Sequence, residues 1–266
     1  QDLGTAELRF KDQQMQKMVY VVGNEQDYHF KVLFLILKKL GRSYAEGLHH
    51  LSYGMVELPS GKMKSREGTV VDADDLVDEV IGMAKEKSIE KMESVGTLEL
   101  FGEEEKERLY ETIGLGALKY FLLKIDPQKK MLYNPDESVS FEGDAAPFIQ
   151  YAHVRICSVI RKGSEIEKAD WKNGYKTLHP LELSLINLLS QYTKTIELAA
   201  EKYAPYVLTQ YIYELCKTFS SFYDKCSIIK AESLEAANFR LVLSEEVAKT
   251  IKKGMLLLGI DVPERM

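Results

Sequence analysis

The sequence predicts an α/β region followed by an all-helical region, in a chain that is mainly helical overall. Residues 17–23 (KMVYVVG) are a run of β-branched and aromatic residues ending in glycine, which is typical of a buried strand. Residues 29–40 have the length of a helix and are followed by Gly41, a helix-stop signal. Residues 48–56 have the pattern of another short strand. Strand, helix and strand in this order form a βαβ unit, which predicts a parallel sheet.

The remainder of the chain has mostly helical patterns. Asp72 can cap a helix, and residues 114–125 (GLGALKYFLLKI) predict an apolar helix whose glycines allow close packing against a neighbour. Residues 131–143 are predicted to be extended, with a turn at Asn134-Pro135. From Pro147 to the end we expect a bundle of four or five helices. Three of these helices are expected to begin near Pro180, Pro205 and Ser244.

The composition indicates an ordinary globular protein of one large or two smaller domains. The chain has 266 residues, of which 45% are hydrophobic and 29% charged. The longest apolar run, residues 32–37, is far too short to cross a membrane, and we find no signal-peptide pattern. Three cysteines and five histidines stand at no metal-ligand spacing. We therefore expect a cytoplasmic protein with reduced thiols, no protein-bound metal and no membrane partner.

The acidic residues are concentrated in one part of the chain. The net charge is −6, but residues 72–111 hold 14 acidic and 5 basic residues, a net of −9. The rest of the chain therefore carries +3. This distribution is compatible with a nucleic-acid surface outside the acidic segment, whereas it disfavours indiscriminate binding to duplexes.

A basic loop follows the predicted sheet at residues 58–71 (LPSGKMKSREGTVV). Its three close cations, Lys62, Lys64 and Arg66, are suited to holding a polyphosphate. The loop is not a Walker A P-loop, because Met63 follows the first lysine and a valine replaces the first glycine. Taken alone, it is equally consistent with a surface hairpin that carries solvated lysines.

A second candidate surface is the aromatic and basic segment at residues 147–162 (PFIQYAHVRICSVIRK), which contains no acid. On a helix, Phe148, Tyr151 and Arg155 share a face. Unpaired RNA bases are bound by stacking on aromatic rings and by guanidinium contacts. The alternative is that the aromatic rings belong to the core, and for Tyr151 we favour that alternative. Together with the basic loop, the segment indicates an enzyme that uses a nucleotide and holds a nucleic acid.

Four segments resemble, in order, the C-terminal half of arginyl-tRNA synthetases, and the resemblance covers essentially the whole chain. Each motif alone is only moderately specific, but the four in this order form a strong signal. They are residues 19–30 (VYVVGNEQDYHF), 52–71 (SYGMVELPSGKMKSREGTVV), 141–162 (FEGDAAPFIQYAHVRICSVIRK) and 256–266 (LLLGIDVPERM).

The resemblance implies three regions and a two-step reaction. Residues 1–71 would be the C-terminal part of a Rossmann-like class I catalytic domain, residues 72–146 a helical connector near the tRNA stem, and residues 147–266 an all-helical anticodon-binding domain. The enzyme would join arginine to ATP, with magnesium as its counterion, and move the arginyl group to tRNA. The implied partners are arginine, ATP and the tRNA for arginine, and the implied enzyme is a monomer.

The resemblance also assigns roles to the basic loop. Residues 62–66 fall where the family carries its KMSKS signature, although this chain has KMKSR. The first lysine and the methionine match, whereas the second cation stands one place early. The catalytic residues implied are Lys62, Lys64, Ser65 and Arg66, and Met63 is implied in ATP binding.

Two further residues are assigned to the substrate pocket and four to tRNA. The resemblance places Gln26 near arginine and His29 near the nucleotide, at the carboxyl end of the first strand, where parallel sheets bind ligands. His29 is equally well explained as a structural histidine at a helix start. The residues implied in anticodon-loop binding are Phe148, Arg155, Tyr223 and Met266.

The family's other signature, HIGH, has no counterpart in these residues. Because a class I site needs both signatures to orient ATP, we expect the isolated chain to be inactive in adenylate formation. An alternative function is a non-catalytic tRNA-binding module that derives from a synthetase. The basic loop favours the ligase, since neither a binding module nor a purely structural scaffold needs it.

Overall fold

The computed structural model of the chain describes residues 1–58, 61–62 and 72–266. The chain divides into two compact units. Unit 1 consists of Gln1–Met63 and Ile125–Tyr133, and unit 2 of Lys64–Lys124 and Asn134–Met266. The three-region division at residues 71 and 146 stays a prediction, since these units follow packing alone.

Unit 1 is built on the predicted parallel pair of strands. Its first elements are α1 (Asp2–Gln13), β1 (Met18–Gly23), α2 (Asp27–Lys39) and β2 (Leu48–Tyr53). The strands β1 and β2 pair in parallel, from Met18 opposite Leu48 to Gly23 opposite Tyr53. Helix α2 buries Phe30, Leu33 and Leu37, whose spacing places them on one face. The predicted βαβ unit is confirmed.

A second, smaller sheet refines one of our predictions and corrects another. Its strands are β3 (Val56–Leu58), β4 (Gly61–Lys62) and β5 (Met131–Leu132), with β3 in the middle. The strand predicted over residues 48–56 is confirmed as β2, but it is shorter than expected: Val56 belongs to β3, and β2 ends just before Gly54. A Cβ there would lie 2.3 Å from the carbonyl oxygen of Lys129, so only glycine allows this approach. The extended segment predicted after residue 131 is wrong beyond β5, because a short helix follows it.

Unit 2 begins with two long helices. They are α3 (Ala73–Val95) and α4 (Glu103–Leu123), and the short helix α5 (Pro135–Ser138) follows later. The predicted cap is confirmed, because the Asp72 carboxylate accepts a hydrogen bond from the backbone N–H of Asp74. Close packing at Gly114 is confirmed too, since a Cβ there would lie 2.8 Å from the Cα of Ile81 in α3.

The rest of unit 2 is the expected bundle, and it contains five helices. They are α6 (Ala146–Gly163), α7 (Trp171–Gly174), α8 (Pro180–Glu201), α9 (Pro205–Lys225) and α10 (Leu234–Leu257). The prediction that the last helix begins at Ser244 is wrong. Ser233 caps α10, whereas Ser244 is buried in mid-helix and donates its hydroxyl hydrogen bond to the Arg240 carbonyl.

Because α9 contributes to the bundle core, truncating one of its buried side chains should destabilise the fold strongly. Leu215 is fully buried, so Leu215→Ala should lower the free energy of unfolding by about 2–5 kcal/mol. The same truncation at Leu257, which is 60% exposed, is the matched control and should have little effect. Urea unfolding can be followed by the fluorescence of Trp171, the single tryptophan, which packs against Phe239 of α10. Equal effects of the two truncations would contradict this view of the core.

Candidate functional site

The most distinctive surface of unit 2 is a cavity of about 430 Å³ beside α6, which we call the basic cavity. Helix α6 supplies one wall, Tyr223 of α9 a second, and the loop between α9 and α10 a third. Three cations and no carboxylate line it. Its residues are Arg155, Ser158, Val159, Lys162, Tyr223, Cys226, Ser227, Ile228, Ile229 and Lys230.

Two of the predicted tRNA-binding residues meet at this cavity. The guanidinium carbon of Arg155 lies 4.6 Å from the centre of the Tyr223 ring. This distance is typical of a cation–π contact. Tyr223 is nevertheless 39% exposed, so its ring remains accessible to a ligand. The pair combines an aromatic face with a planar cation, the two groups that bind unpaired bases.

A third predicted residue, Phe148, lies on the same face of α6 as Arg155 but outside the cavity lining. Its ring packs 5.6 Å from that of Tyr213 in α9, and its side chain is half-buried. The structure therefore brings Arg155 and Tyr223 together and leaves Phe148 at the neighbouring α6–α9 contact. Tyr151, which we favoured as a core residue, is half-buried and lies beneath the Lys91 ammonium at 4.5 Å.

Sequence reasoning missed the other cations of the cavity. Lys162 follows Arg155 by seven residues, as Arg155 follows Phe148, so the three share one face of α6. That spacing was a usable signal. No sequence spacing could have identified Lys230, because this residue lies in the loop after α9 and lines the cavity only through the fold.

The fourth predicted residue, Met266, is placed differently. Its side chain is only 6% exposed, and the terminal segment packs along the face of α6 opposite to Arg155. Gln150 donates to the Asp261 carbonyl at 2.8 Å, and Arg161 donates to the Glu264 carbonyl at 3.1 Å. The terminal segment therefore has a clear packing role.

Of the ionisable side chains that contact this segment, His153 is the most deeply buried. Its side chain is 2% exposed, and its Nδ1 lies 2.8 Å from the Pro263 carbonyl oxygen. Burial lowers the pKa of His153, although the Pro263 carbonyl acts against this shift. The neutral imidazole with its hydrogen on Nδ1 satisfies this geometry.

In unit 1, Gln26 and His29 stand where the sequence predicts, just after β1. Gln26 ends a short 3-10 turn, Asn24–Gln26, and is exposed. His29 lies in the first turn of α2, and its Nε2 is 2.8 Å from Asp2 Oδ2. Its ring is half exposed, at 49% of the side chain. The histidine thus has a structural partner and retains an accessible edge.

A polar group at the same strand ends was not foreseen. Asp27 Oδ1 accepts a 2.6 Å hydrogen bond from the Ser52 hydroxyl and lies 3.4 Å from Nδ1 of His50. Nε2 of His50 is 3.0 Å from the Val22 carbonyl oxygen. No sequence signal could have found this group, because it depends on the register of β1 and β2.

Most of the basic loop lies outside the described residues. This holds for Met63, Lys64, Ser65 and Arg66. Of Lys62 only the backbone is described, and it pairs with Glu57 as part of β4. The roles expected for these five residues therefore stay predictions.

The described part of the chain contains neither a metal-binding cluster nor a membrane-spanning helix. No group of three or more His, Cys, Asp or Glu side chains there is arranged to hold a metal ion. Among its helices, none combines the length and apolar character needed to cross a membrane.

Comparison with known families gives a match for each part of the chain. Residues 149–266 match the model of the DALR anticodon binding domain, and residues 1–134 match that of the class I (R) tRNA synthetase catalytic domain. The chain belongs to the arginyl-tRNA synthetase family. This confirms both the resemblance seen in the sequence and the predicted fold class, the end of a class I catalytic domain with a helical anticodon-binding bundle.

Relatives from this family align along the whole chain. The arginine–tRNA ligase of Flavobacterium psychrophilum is 55% identical over 268 residues, which cover 100% of this chain and 43% of the relative. That of Parabacteroides distasonis is 51% identical over 100% of this chain and 44% of the relative. This chain thus spans less than half the length of these relatives.

Solved structures agree with this family assignment. The arginyl-tRNA synthetase of Thermus thermophilus matches with a TM-score of 0.82 and 28% identity, over 94% of this chain and 41% of that chain. The Plasmodium falciparum arginyl-tRNA synthetase, at 24% identity and a TM-score of 0.81, shares the fold over 100% of this chain and 44% of its own.

The burial of His153 predicts a pH dependence of stability. Because its folded pKa is lowered from 6.5, the unfolded chain takes up the proton first as the pH falls. The stabilisation is complete above the unfolded pKa and is lost as the pH falls from there towards the folded pKa. Between about pH 7 and about pH 5, the urea midpoint should therefore fall more for wild type than for His153→Gln.

Glutamine is chosen at this position because its amide can still donate to the Pro263 carbonyl. Leu257→Ala, which truncates an exposed side chain that does not titrate, is the control and should keep the pH dependence of wild type. A His153→Gln variant with the full pH dependence of wild type would disprove the assignment.

Proposed function

We propose that the chain is the C-terminal part of an arginine–tRNA ligase that activates arginine with ATP and transfers it to tRNA. The basic loop of unit 1 acts in activation, and unit 2 grips the anticodon loop of the tRNA for arginine. The enzyme works as a monomer in the cytoplasm, and ATP enters with magnesium as its counterion. The regions are the catalytic part at residues 1–71, the connector at 72–146 and the anticodon-binding domain at 147–266.

The observation that carries this proposal is the cation–π pair of Arg155 and Tyr223 in the basic cavity. An unpaired base can stack on the exposed part of the tyrosine ring while the guanidinium holds the pair in place. Lys162 and Lys230 flank the cavity and are suited to the adjoining phosphates. The carboxylate-free lining favours a polyanion over a peptide. Phe148 extends the same face of α6. Met266 contributes indirectly, because its terminal segment packs against the opposite face of that helix.

The contribution of the basic loop follows from the charge that develops during activation. When the arginine carboxylate attacks the α-phosphorus of ATP, negative charge accumulates on the departing pyrophosphate. Ammonium and guanidinium groups held nearby stabilise this charge more than that of the bound substrate. Lys62, Lys64 and Arg66 supply those cations, while Ser65 and Met63 contact the nucleotide. Gln26 and His29 bind arginine and ATP at the strand ends.

A non-catalytic tRNA-binding module is the other function that we considered. Unit 2 alone would serve it equally well. The match of residues 1–134 to a synthetase catalytic domain supports the ligase instead.

The proposal predicts selective tRNA binding that depends on Tyr223. At one fixed salt concentration, the tRNA for arginine should compete better than another tRNA, because the proposal assigns the cavity to its anticodon loop. Tyr223→Ala should weaken its binding by about 1–3 kcal/mol, the value of one stacked base. The measurement is a competition binding assay, with Tyr206→Ala at the other end of α9 as the matched control. Equal binding of the two tRNAs would remove the claim of specific recognition.

The proposal also predicts a catalytic defect for Lys62→Ala in the complete enzyme. Single-turnover formation of the adenylate should slow by a barrier increase of about 3 kcal/mol, because a cation facing the leaving pyrophosphate is lost. The affinity for tRNA should stay near that of wild type. The control is Lys39→Ala, an exposed lysine at the end of α2. Unchanged activation in Lys62→Ala would refute the role of this lysine.

A further inference from the structure

Arg240 of α10 is a buried cation, 4% exposed, whose guanidinium is fully engaged. Its Nε donates to Glu182 at 2.6 Å, and its Nη1 donates to the carbonyl of Ser227 and to Glu232, both at 2.8 Å. Its Nη2 donates to Glu232 at 2.8 Å and to the Tyr175 hydroxyl at 3.3 Å. The five contacts match the five N–H groups of a guanidinium, which no other side chain can offer.

One side of this network belongs to the bundle. Glu182 of α8 is fully buried, and its carboxylate also accepts a 2.7 Å hydrogen bond from the backbone N–H of His179. The same carboxylate accepts a 2.9 Å hydrogen bond from the Tyr175 hydroxyl. Arg240 is therefore anchored to the N-terminal cap of α8, where its orientation is set.

The other side of the network holds the loop between α9 and α10, residues 226–233. Arg240 binds this loop near both ends, at the Ser227 carbonyl and at the Glu232 carboxylate. The pKa of Glu232 is lowered by a hydrogen bond from its own backbone N–H and by the Arg240 guanidinium. The carboxylate therefore stays charged at neutral pH and keeps both contacts.

The same loop forms one wall of the basic cavity, through Ser227, Ile229 and Lys230 among others. The distance along the chain between the two points held by Arg240 is only five residues, and Lys230 lies between them. The position of this cavity cation is therefore set by a buried group that the cavity does not expose.

Stability alone is a poor explanation for this arrangement. A buried ion pair recovers little more than its desolvation cost, and apolar residues of similar volume often stabilise a fold as well or better. What a five-donor group adds is a single, defined geometry for the segments that it joins. Here those segments are the cap of α8 and a wall of the candidate RNA site.

We propose that Arg240 is a positioning residue for tRNA binding, which fixes the loop at residues 226–233 so that Lys230 and Ser227 face the RNA in the basic cavity. This inference rests on the proposed function of that cavity. Its ligand contact is the phosphodiester backbone next to the base held by Tyr223. Because the loop is ordered before the RNA arrives, binding loses less conformational entropy.

The test uses steady-state aminoacylation by the full-length enzyme, with Glu232→Gln as the main variant. This change removes one charge from a carboxylate that is 61% exposed, so the fold should persist. The KM for tRNA should rise by about three- to tenfold, the effect of one weakened charged hydrogen bond, while kcat at saturating tRNA and the KM for ATP stay unchanged. Glu246→Gln, which breaks the exposed pair with Lys249 on the same helix, is the matched control and should alter none of these constants.

Two further variants separate positioning from general support of the fold. Arg240→Lys keeps the charge but offers three donors instead of five, so it should raise the KM for tRNA at least as much as Glu232→Gln. Combined with Tyr223→Ala, Glu232→Gln should add less than its separate effect, because both changes act on one cavity. Strictly multiplicative effects in this double variant would overturn the inference.

The remaining outcomes distinguish the inference from the proposed function. If Tyr223→Ala raises the KM for tRNA and Glu232→Gln does not, the role of Arg240 is wrong and the cavity assignment stands. If neither variant changes it, the cavity assignment fails together with the inference. A parallel rise of the KM values for tRNA and ATP would show that Arg240 only supports the fold.

Discussion

The candidate RNA site depends on how helix α6 is packed. One face of α6 is covered by the C-terminal segment, to which Gln150 and His153 contribute contacts with backbone carbonyls. Its flanks enter the bundle core, where Ile149 and Ile156 are fully buried. The face that carries Arg155 remains partly open to solvent and borders the basic cavity. The burial of apolar side chains and the packing of the terminal segment therefore orient α6, and with it the basic cavity, without any contribution from RNA.

This packing explains how an acidic protein can present a cationic surface. The formal net charge is −6, yet the lining of the basic cavity contains three cations and no carboxylate. The acidic excess lies in residues 72–111, which form α3 and the first half of α4. At physiological ionic strength, charges separated by more than about 8 Å are largely screened. A ligand at the cavity therefore responds to the nearby cations far more than to the net charge.

The sequence predicted those parts of the fold that local signals define. Gly23 ends β1, and Pro180 and Pro205 open helices as expected, since glycine is unfavourable inside a strand and proline has the φ angle of a first helical turn. The start of α10 was misjudged, because Ser244 has the side chain of a cap but is used inside the helix. Arg155 and Tyr223 were found through the family resemblance. The loop wall and Arg240 were not, because their roles arise from contacts across 8 to 65 residues of sequence.

The terminal segment has a packing role that does not depend on any ligand. The residues GIDVPERM carried much of the resemblance, and a direct RNA contact was expected for the last of them. In the structure Ile260, Val262 and Met266 are all buried, and three backbone carbonyls of the segment receive hydrogen bonds from side chains of α6. Packing on α6 is enough to explain why these residue types stand there. Since the opposite face of the same helix carries Arg155, the segment supports the candidate RNA site by holding that helix in place.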